Sequence, residues 1–340
     1  MTTMTPTIAR RGLVTGAAAL PLFGIRTRAA DAAEFEFKFA TGQPPTNPIC
    51  IRIQEALDRI KAATGGRLEI KLFPQNQLGS DTDLIQQVRA GGVEFLNISG
   101  SVLSSLVPAA ALVNVGFAFS SYDQVWRAVD GELGKYMEAQ IEKAGLMVVA
   151  PFADNGFRQI TSSDVQIKTP EDLKGFHIRV PVSPIFTSLF QALGAAPTSI
   201  NFNELYTALQ TRLVSGEENA LVVIETGKLY EVQKFCSETS HIWDDFCLVG
   251  NRRAVARLPG DVQEILRREL KQSVLAQRSD SERLNTSLKA TLQGKGMTFV
   301  AADKPAFRAA LRKSTFYSDW KGKFGEQAWS ALQSVSGELA

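Results

Sequence analysis

Phe35-Glu36-Phe37-Lys38-Phe39 alternates apolar and charged residues, the period of a strand with one buried face. From Asn47 to Ala63 the residues Ile51, Ala56, Leu57 and Ile60 recur at helical spacing, and Thr64-Gly65-Gly66 ends the run. Arg67 to Phe73 (Arg67-Leu68-Glu69-Ile70-Lys71-Leu72-Phe73) reads as a second strand. Ser80-Asp81-Thr82-Asp83 caps a helix running to Ala90, Gly91-Gly92 closes it, and Val93 to Ile98 reads as a third strand. Strand, helix, strand, helix, strand predicts an α/β fold with a parallel, doubly wound sheet.

Working outward, the alternation resumes. Tyr122 to Ala144 predicts one long amphipathic helix, Leu146 to Pro151 a buried strand, and Asn155 to Ile160 a strand that crosses between lobes. Thr169-Pro170-Glu171-Asp172 and Ser183-Pro184 have the form of helix starts, with Phe176 to Val180 as a strand between them. Asn203 is expected to cap a helix over Glu204 to Arg212, followed by a strand from Glu218 to Val223. A long charged helix spans Pro259 to about Gln293, and a last strand at Met297 to Val300 precedes a helical tail. No Gly/Ser linker separates the parts, so two lobes joined by crossing strands are expected rather than tandem beads.

Composition excludes several classes. At 340 residues with 44% hydrophobic and 21% charged side chains, the chain is of ordinary globular composition and long enough for two lobes. Lys+Arg 37 against Asp+Glu 35 leaves no basic surplus for nucleic acid. Cys50, Cys236 and Cys247 lack CxxC spacing, and His177 and His241 are the only histidines, so no metal site is expected. Whether Cys236 and Cys247 pair is left open. No phosphate loop, dinucleotide fingerprint or nucleophile elbow is present, so neither a cofactor nor a catalytic residue is expected. Adjacent Glu217 and Glu218 on a strand would point to opposite faces and make no catalytic dyad.

Residues 1–33 have the layout of a cleavable export signal: Arg10-Arg11, an apolar run from Gly12 to Ile25, and Ala30-Asp31-Ala32. General secretion and twin-arginine export are both open. That apolar run, broken by Pro21, is too short for a bilayer core of roughly 30 Å, so no membrane anchor is expected. The expected location is the periplasm.

Two strand arginines carry the functional signal. Arg158 lies in Gly156-Phe157-Arg158-Gln159-Ile160-Thr161 and Arg179 in Phe176-His177-Ile178-Arg179-Val180-Pro181. A half-buried arginine is costly unless it meets an anion, which is either an internal carboxylate or a ligand. Arg179 stands at the carboxyl end of its strand, before the helix start at Ser183-Pro184, where open α/β sheets bind ligands and helix N–H groups attract anions. A guanidinium grips a carboxylate with two parallel hydrogen bonds.

The segment Gly156 to Thr161, then Lys168 to Pro181, Ala192 to Thr198, Phe202 to Thr211, Gly216 to Asn219 and Tyr230 to Lys234 follow one another in order. With Phe73 to Gly79 near the start, this series resembles the DctP-type solute-binding proteins of tripartite ATP-independent periplasmic (TRAP) transporters. The resemblance covers essentially the whole mature chain and implies a two-lobed flytrap, with strands and a long helix crossing between lobes. It places lobe I over residues 34–155 plus about 250–300, lobe II over 156–249, and a helical segment, 301–340, across both. It implies that Arg179 clamps a ligand carboxylate, with Arg158 a second contact, Asn219 on the same carboxylate and Phe202 an apolar wall. By position, Gln43, Ser99 and Trp243 would complete the site. Two arginines around one carboxylate would leave positive charge for a second acidic group, a keto oxygen or hydroxyls. Glu217 and Ala220 depart from the family's usual Gln and Pro at those places. The implied partners are a small organic anion and the membrane permease subunits. Other readings are a sensing protein for a membrane receptor or a twin-arginine-exported enzyme.

Overall fold

The alternating segments Phe35–Thr41 (β1) and Leu68–Phe73 (β2) form parallel strands in register from Phe35–Leu68 to Ala40–Phe73, and Phe95–Ser99 (β3) lies parallel on the other side of β1. The computed structural model describes residues 1–3 and 33–339; the expected export signal lies outside the described residues apart from its two ends. Asn47 caps the helix Pro48–Ala63, its side-chain oxygen accepting from the Ile49 N–H at 3.1 Å. The Ser80–Asp83 capping box opens the helix Asp81–Ala90, and Gly91 at φ 88° closes it, a conformation that only glycine adopts freely.

The remaining strands are Leu146–Val148 (β4), Ala153–Ser162 (β5), His177–Val180 (β6), Ala196–Ser199 (β7), Gly216–Ala220 (β8), Phe235–Ser237 (β9), Trp243–Asn251 (β10) and Thr298–Val300 (β11). Among the described residues the sheet runs β2-β1-β3-β10-β5-β8-β6-β7, with β4 on β10, β9 on β5 and β11 on β9. The crossing strand is β5. Its first half pairs antiparallel with Trp243–Phe246 of β10, and its second half, Arg158–Ser162, pairs with β8. A register shift between Asp244 and Asp245 leaves Asn155 without an opposite residue, a bulge that re-aims its side chain. Gly156 follows at φ 116°, and a Cβ there would come 3.1 Å from Ala220.

The helix Gly260–Gly294 joins the two halves of the sheet. Val262, Leu266, Leu270 and Val274 pack into the core around Phe37, Phe39 and Ile53. Further on, Leu288 packs with Val222 and Val223, and Leu292 with Leu205 and Leu209. Each such fully buried side chain stabilises the fold by about 1.5–3 kcal/mol. Midway, Gln277 grips the Asp154 backbone, donating to its carbonyl at 2.7 Å and accepting from its N–H at 3.0 Å. The helix carries the chain to β11, which pairs parallel with β9. The terminal helices Lys304–Lys313, Phe316–Phe324 and Glu326–Ser336 bury Phe307, Trp320 and Trp329 in a core shared with Phe186 and Leu112.

Three expected elements differ. The single helix over Tyr122 to Ala144 is two, Tyr122–Val129 and Glu132–Lys143, because Asp130-Gly131 breaks it and Gly131 takes an extended conformation. The strand expected to Val223 stops at Ala220. Leu221–Thr226 is helical despite its β-branched residues, since Val222 and Val223 are buried against Leu288, and tertiary packing overrides a weak propensity. The helix expected over Glu204 to Arg212 starts two residues earlier, at Phe202 after Asn201, and covers Phe202–Gln210. All three cysteines are free and buried.

Candidate functional site

A cavity of about 40 Å³ lies where the carboxyl ends of β1 and β3 face β5, β6 and β8. Strand ends leave backbone groups and loop side chains free to meet a ligand, which is why open α/β sheets bind there. From the first half of the sheet come Gln43, Asp81, Asn97 and Ser99; from the second come Asn155, Arg158, Arg179, Phe202 and Asn219. Six of the seven residues singled out from the sequence therefore meet at one cavity.

Trp243 is the seventh and is not on the cavity wall. Its indole N–H donates to Asp154 at 2.8 Å, and its ring stands edge-on to Trp126 at 5.6 Å. Phe202, the first residue of its helix, sits at the cavity by that placement. Ser99 hydrogen-bonds Asp244 (2.8 Å) and the Gln43 carbonyl oxygen of the side chain accepts from Asn47 (3.2 Å), so both are held from behind.

The two arginines differ in kind. Arg158 is 3% exposed, and its guanidinium meets Glu218 through Nε (2.6 Å) and Nη2 (2.9 Å) and Asp244 through Nη1 (2.9 Å). Burial works to lower its proton affinity, but Glu218 and Asp244 outweigh it and raise it. The positive surplus expected from two arginines is thus corrected: Glu218 and Asp244 already neutralise Arg158. Arg179 is 2% exposed, and its Nε and Nη2 donate to the Ile200 carbonyl, at 2.9 and 2.6 Å. Among the described residues no carboxylate lies within ion-pair distance of it. Burial pushes it down to about 10, with Glu217 and Glu218 opposing from farther away.

The two adjacent glutamates do point to opposite faces. Glu218 faces Arg158 and His241 (3.2 Å), which together hold it below the usual carboxylate range against the effect of burial. Glu217 accepts from Thr161 (2.8 Å) and from the Asn219 amide (2.5 Å); burial and then the charge of Glu218 push it up to about 7. Asp244 accepts from Ser99, Asn114, Asn155 and Arg158. Its neighbour Asp245 is pushed well above the ordinary range by burial and by that charge.

Asp81, Asn97 and Asn155 line the cavity and were not singled out from the sequence. A signal existed for one of them, since Asn155 immediately precedes the Gly156–Thr161 segment. Among the described residues no group of three or more His, Cys, Asp or Glu is placed to hold a metal ion.

Residues 39–318 match the DctP family, described as bacterial extracellular solute-binding protein, family 7. A solute-binding protein of Roseobacter denitrificans is 35% identical over 259 residues, covering 75% of this chain and 78% of the relative. The 2,3-diketo-L-gulonate-binding periplasmic protein YiaO of Escherichia coli is 32% identical over 245 residues, 72% of this chain and 74% of its own. Among solved structures, a TRAP periplasmic solute-binding protein from Roseobacter denitrificans with bound L-galactonate superposes with a TM-score of 0.83. It is 29% identical and covers 89% of this chain and 99% of its own.

Proposed function

Because the chain belongs to the DctP family of bacterial extracellular solute-binding proteins, we propose that its cavity captures a small organic carboxylate in the periplasm for delivery to a TRAP membrane permease. One observation carries this reading: the Arg179 guanidinium is buried at the cavity wall with, among the described residues, a carbonyl as its only hydrogen-bond partner. A buried cation without a counter-charge is costly, and a ligand carboxylate supplies that charge. Asn219 lines the same cavity, and its amide, which donates one N–H to Glu217, has a second for the same anion. Phe202 gives an apolar wall, and Gln43 and Ser99 reach in from the other half of the sheet. In this reading Arg158 shapes the site through Glu218 and Asp244, and Trp243 supports it from behind through Asp154. The protein acts by closing one lobe, residues 34–155 plus about 250–300, and the other, 156–249, over the ligand, with 301–340 packed across them, and performs no chemistry. The signal over residues 1–33 is removed on export.

Organic acids are expected to raise the melting temperature of the mature protein, while the corresponding neutral alcohols and amides leave it unchanged. A carboxylate present at about 100 times its Kd adds about 2.7 kcal/mol of stability. Stabilisation by neutral analogues alone would overturn the reading.

Glu217 makes the affinity pH-dependent. Its carboxyl, pushed up to about 7, lies behind Asn219 and within electrostatic reach of Arg179. An arriving anion favours its protonated form, so binding takes up a proton. Affinity is therefore full below pH about 7 and falls as pH rises through that value. Calorimetry on Glu217→Gln, which keeps the shape without the charge, should give a flat profile over the same range. A Gln variant that retains the wild-type slope would refute the assignment.

A further inference from the structure

A second pocket, of about 420 Å³, shares no lining residue with the cavity at Arg179. Phe157 lines it while Arg158, the next residue of β5, lines the cavity, since successive strand side chains take opposite faces. Phe117 and Phe119 complete an aromatic wall, and the Phe157 ring is held edge-on to Tyr122 at 5.3 Å. Two wall residues have left-handed backbone that is costly outside glycine, Phe117 at φ 55° and Ser240 at φ 44°. Both are pinned there. The Phe117 N–H donates to the His241 carbonyl at 2.8 Å, and the Ser240 N–H donates to the Gln159 side-chain oxygen at 2.9 Å. Backbone strain of this kind gathers where a wall is shaped for a ligand.

The other side of the pocket is cationic. Lys304 Nζ donates to the Ser240 hydroxyl at 3.0 Å, and Arg308 Nη2 donates to the Glu338 carbonyl at 3.4 Å. Arg308 Nε is buried and, among the described residues, has no acceptor, which costs free energy until one arrives. No Asp or Glu lines the pocket, and among the described residues neither cation has a carboxylate within ion-pair distance. The nearest acid in sequence, Asp303, is engaged as a helix cap, accepting from the Ala306 N–H at 3.0 Å. Phenyl walls favour a planar apolar body, and an ammonium with a guanidinium favours an anionic group at one end of it. The volume lies within the roughly 300–1,000 Å³ of small-molecule sites.

We propose that this pocket is a second ligand site and takes an aromatic acid, its ring against Phe117, Phe119 and Phe157 and its acid group at Lys304 and Arg308. The acid oxygen is the acceptor that Arg308 Nε lacks. The site stands apart from Arg179 and does not rest on the carboxylate reading of the cavity.

Calorimetry on the mature protein and on its Arg179→Met variant tests it, with phenylacetate, 3-phenylpropanoate and indole-3-acetate as probes and their amides as neutral controls. At least one acid should bind the Arg179→Met variant about tenfold or more tighter than its amide does. Adding Lys304→Gln and Arg308→Gln should weaken that acid about tenfold and leave the amide unchanged, so that the ratio between them collapses. Lys304 is exposed, so Lys304→Gln alone keeps the test readable if the Arg308 change disturbs the fold, and it should weaken the acid about threefold. Acid and amide bound alike, or an acid indifferent to Lys304→Gln, would overturn the site, as would failure of every acid to bind. An acid that binds the wild-type protein but not the Arg179→Met variant would also overturn it, while supporting the carboxylate reading of the cavity.

Discussion

Arg158→Met is expected to destabilise the protein by about 3–5 kcal/mol, the usual cost of removing one partner from a buried ion pair. The variant strands Glu218 and Asp244, both fully buried, without the guanidinium that bonds them at 2.6 and 2.9 Å. Asp244 keeps donors from Ser99, Asn114 and Asn155, and Glu218 keeps only His241. The loss is a large share of the roughly 5–15 kcal/mol that a folded protein has in total. Urea unfolding of the unliganded protein measures it. Adding Glu218→Gln to the Arg158→Met chain should recover part of the loss, because one stranded charge is gone. An unchanged unfolding midpoint, with binding abolished, would mean that Arg158 serves the ligand rather than the fold.

Arg179→Met should do the opposite. Carboxylate affinity is expected to fall by about 2–5 kcal/mol, roughly 30-fold or more, as for other buried charged hydrogen-bond partners. The unliganded fold should change little. Removing an uncompensated buried charge is favourable, while orphaning the Ile200 carbonyl is unfavourable, and the two effects oppose each other. Arg179→Lys should bind nearly as poorly, since an ammonium cannot span the Ile200 carbonyl and a ligand carboxylate with one planar fork. Calorimetry for affinity and urea melts for stability separate the two readouts. Undiminished carboxylate binding by the Met variant would remove the basis of the proposed function.

Much of this was legible in the sequence, for physical reasons. At the start of β1 only one face is buried, with Glu36 and Lys38 exposed, so Phe35, Phe37 and Phe39 display their period directly. The caps at Asn47 and Ser80 are local side-chain events and are readable locally. Arg179 was legible because its position at a strand end is itself a local property. The partners of Arg158 were not: Glu218 and Asp244 are 60 and 86 residues away, and only the pairing of β5 with β8 and β10 brings them in. The same limit hid Asn155 and misdirected Trp243. In a strand the face that a side chain takes depends on register, and the shift at Asp244 is a property of two strands together.

The clasp between Gln277 and Asp154 sits at the centre of the helix Gly260–Gly294. Mechanically, a rod pinned at its midpoint is a balance beam. Each arm is about 26 Å long at 1.5 Å per residue, so a tilt of about 5° at the pin carries the two tips roughly 2 Å in opposite directions. One arm is bedded beside Ile53 and the other beside Leu205 and Val223. A displacement of either bed would therefore act on the other through this pin.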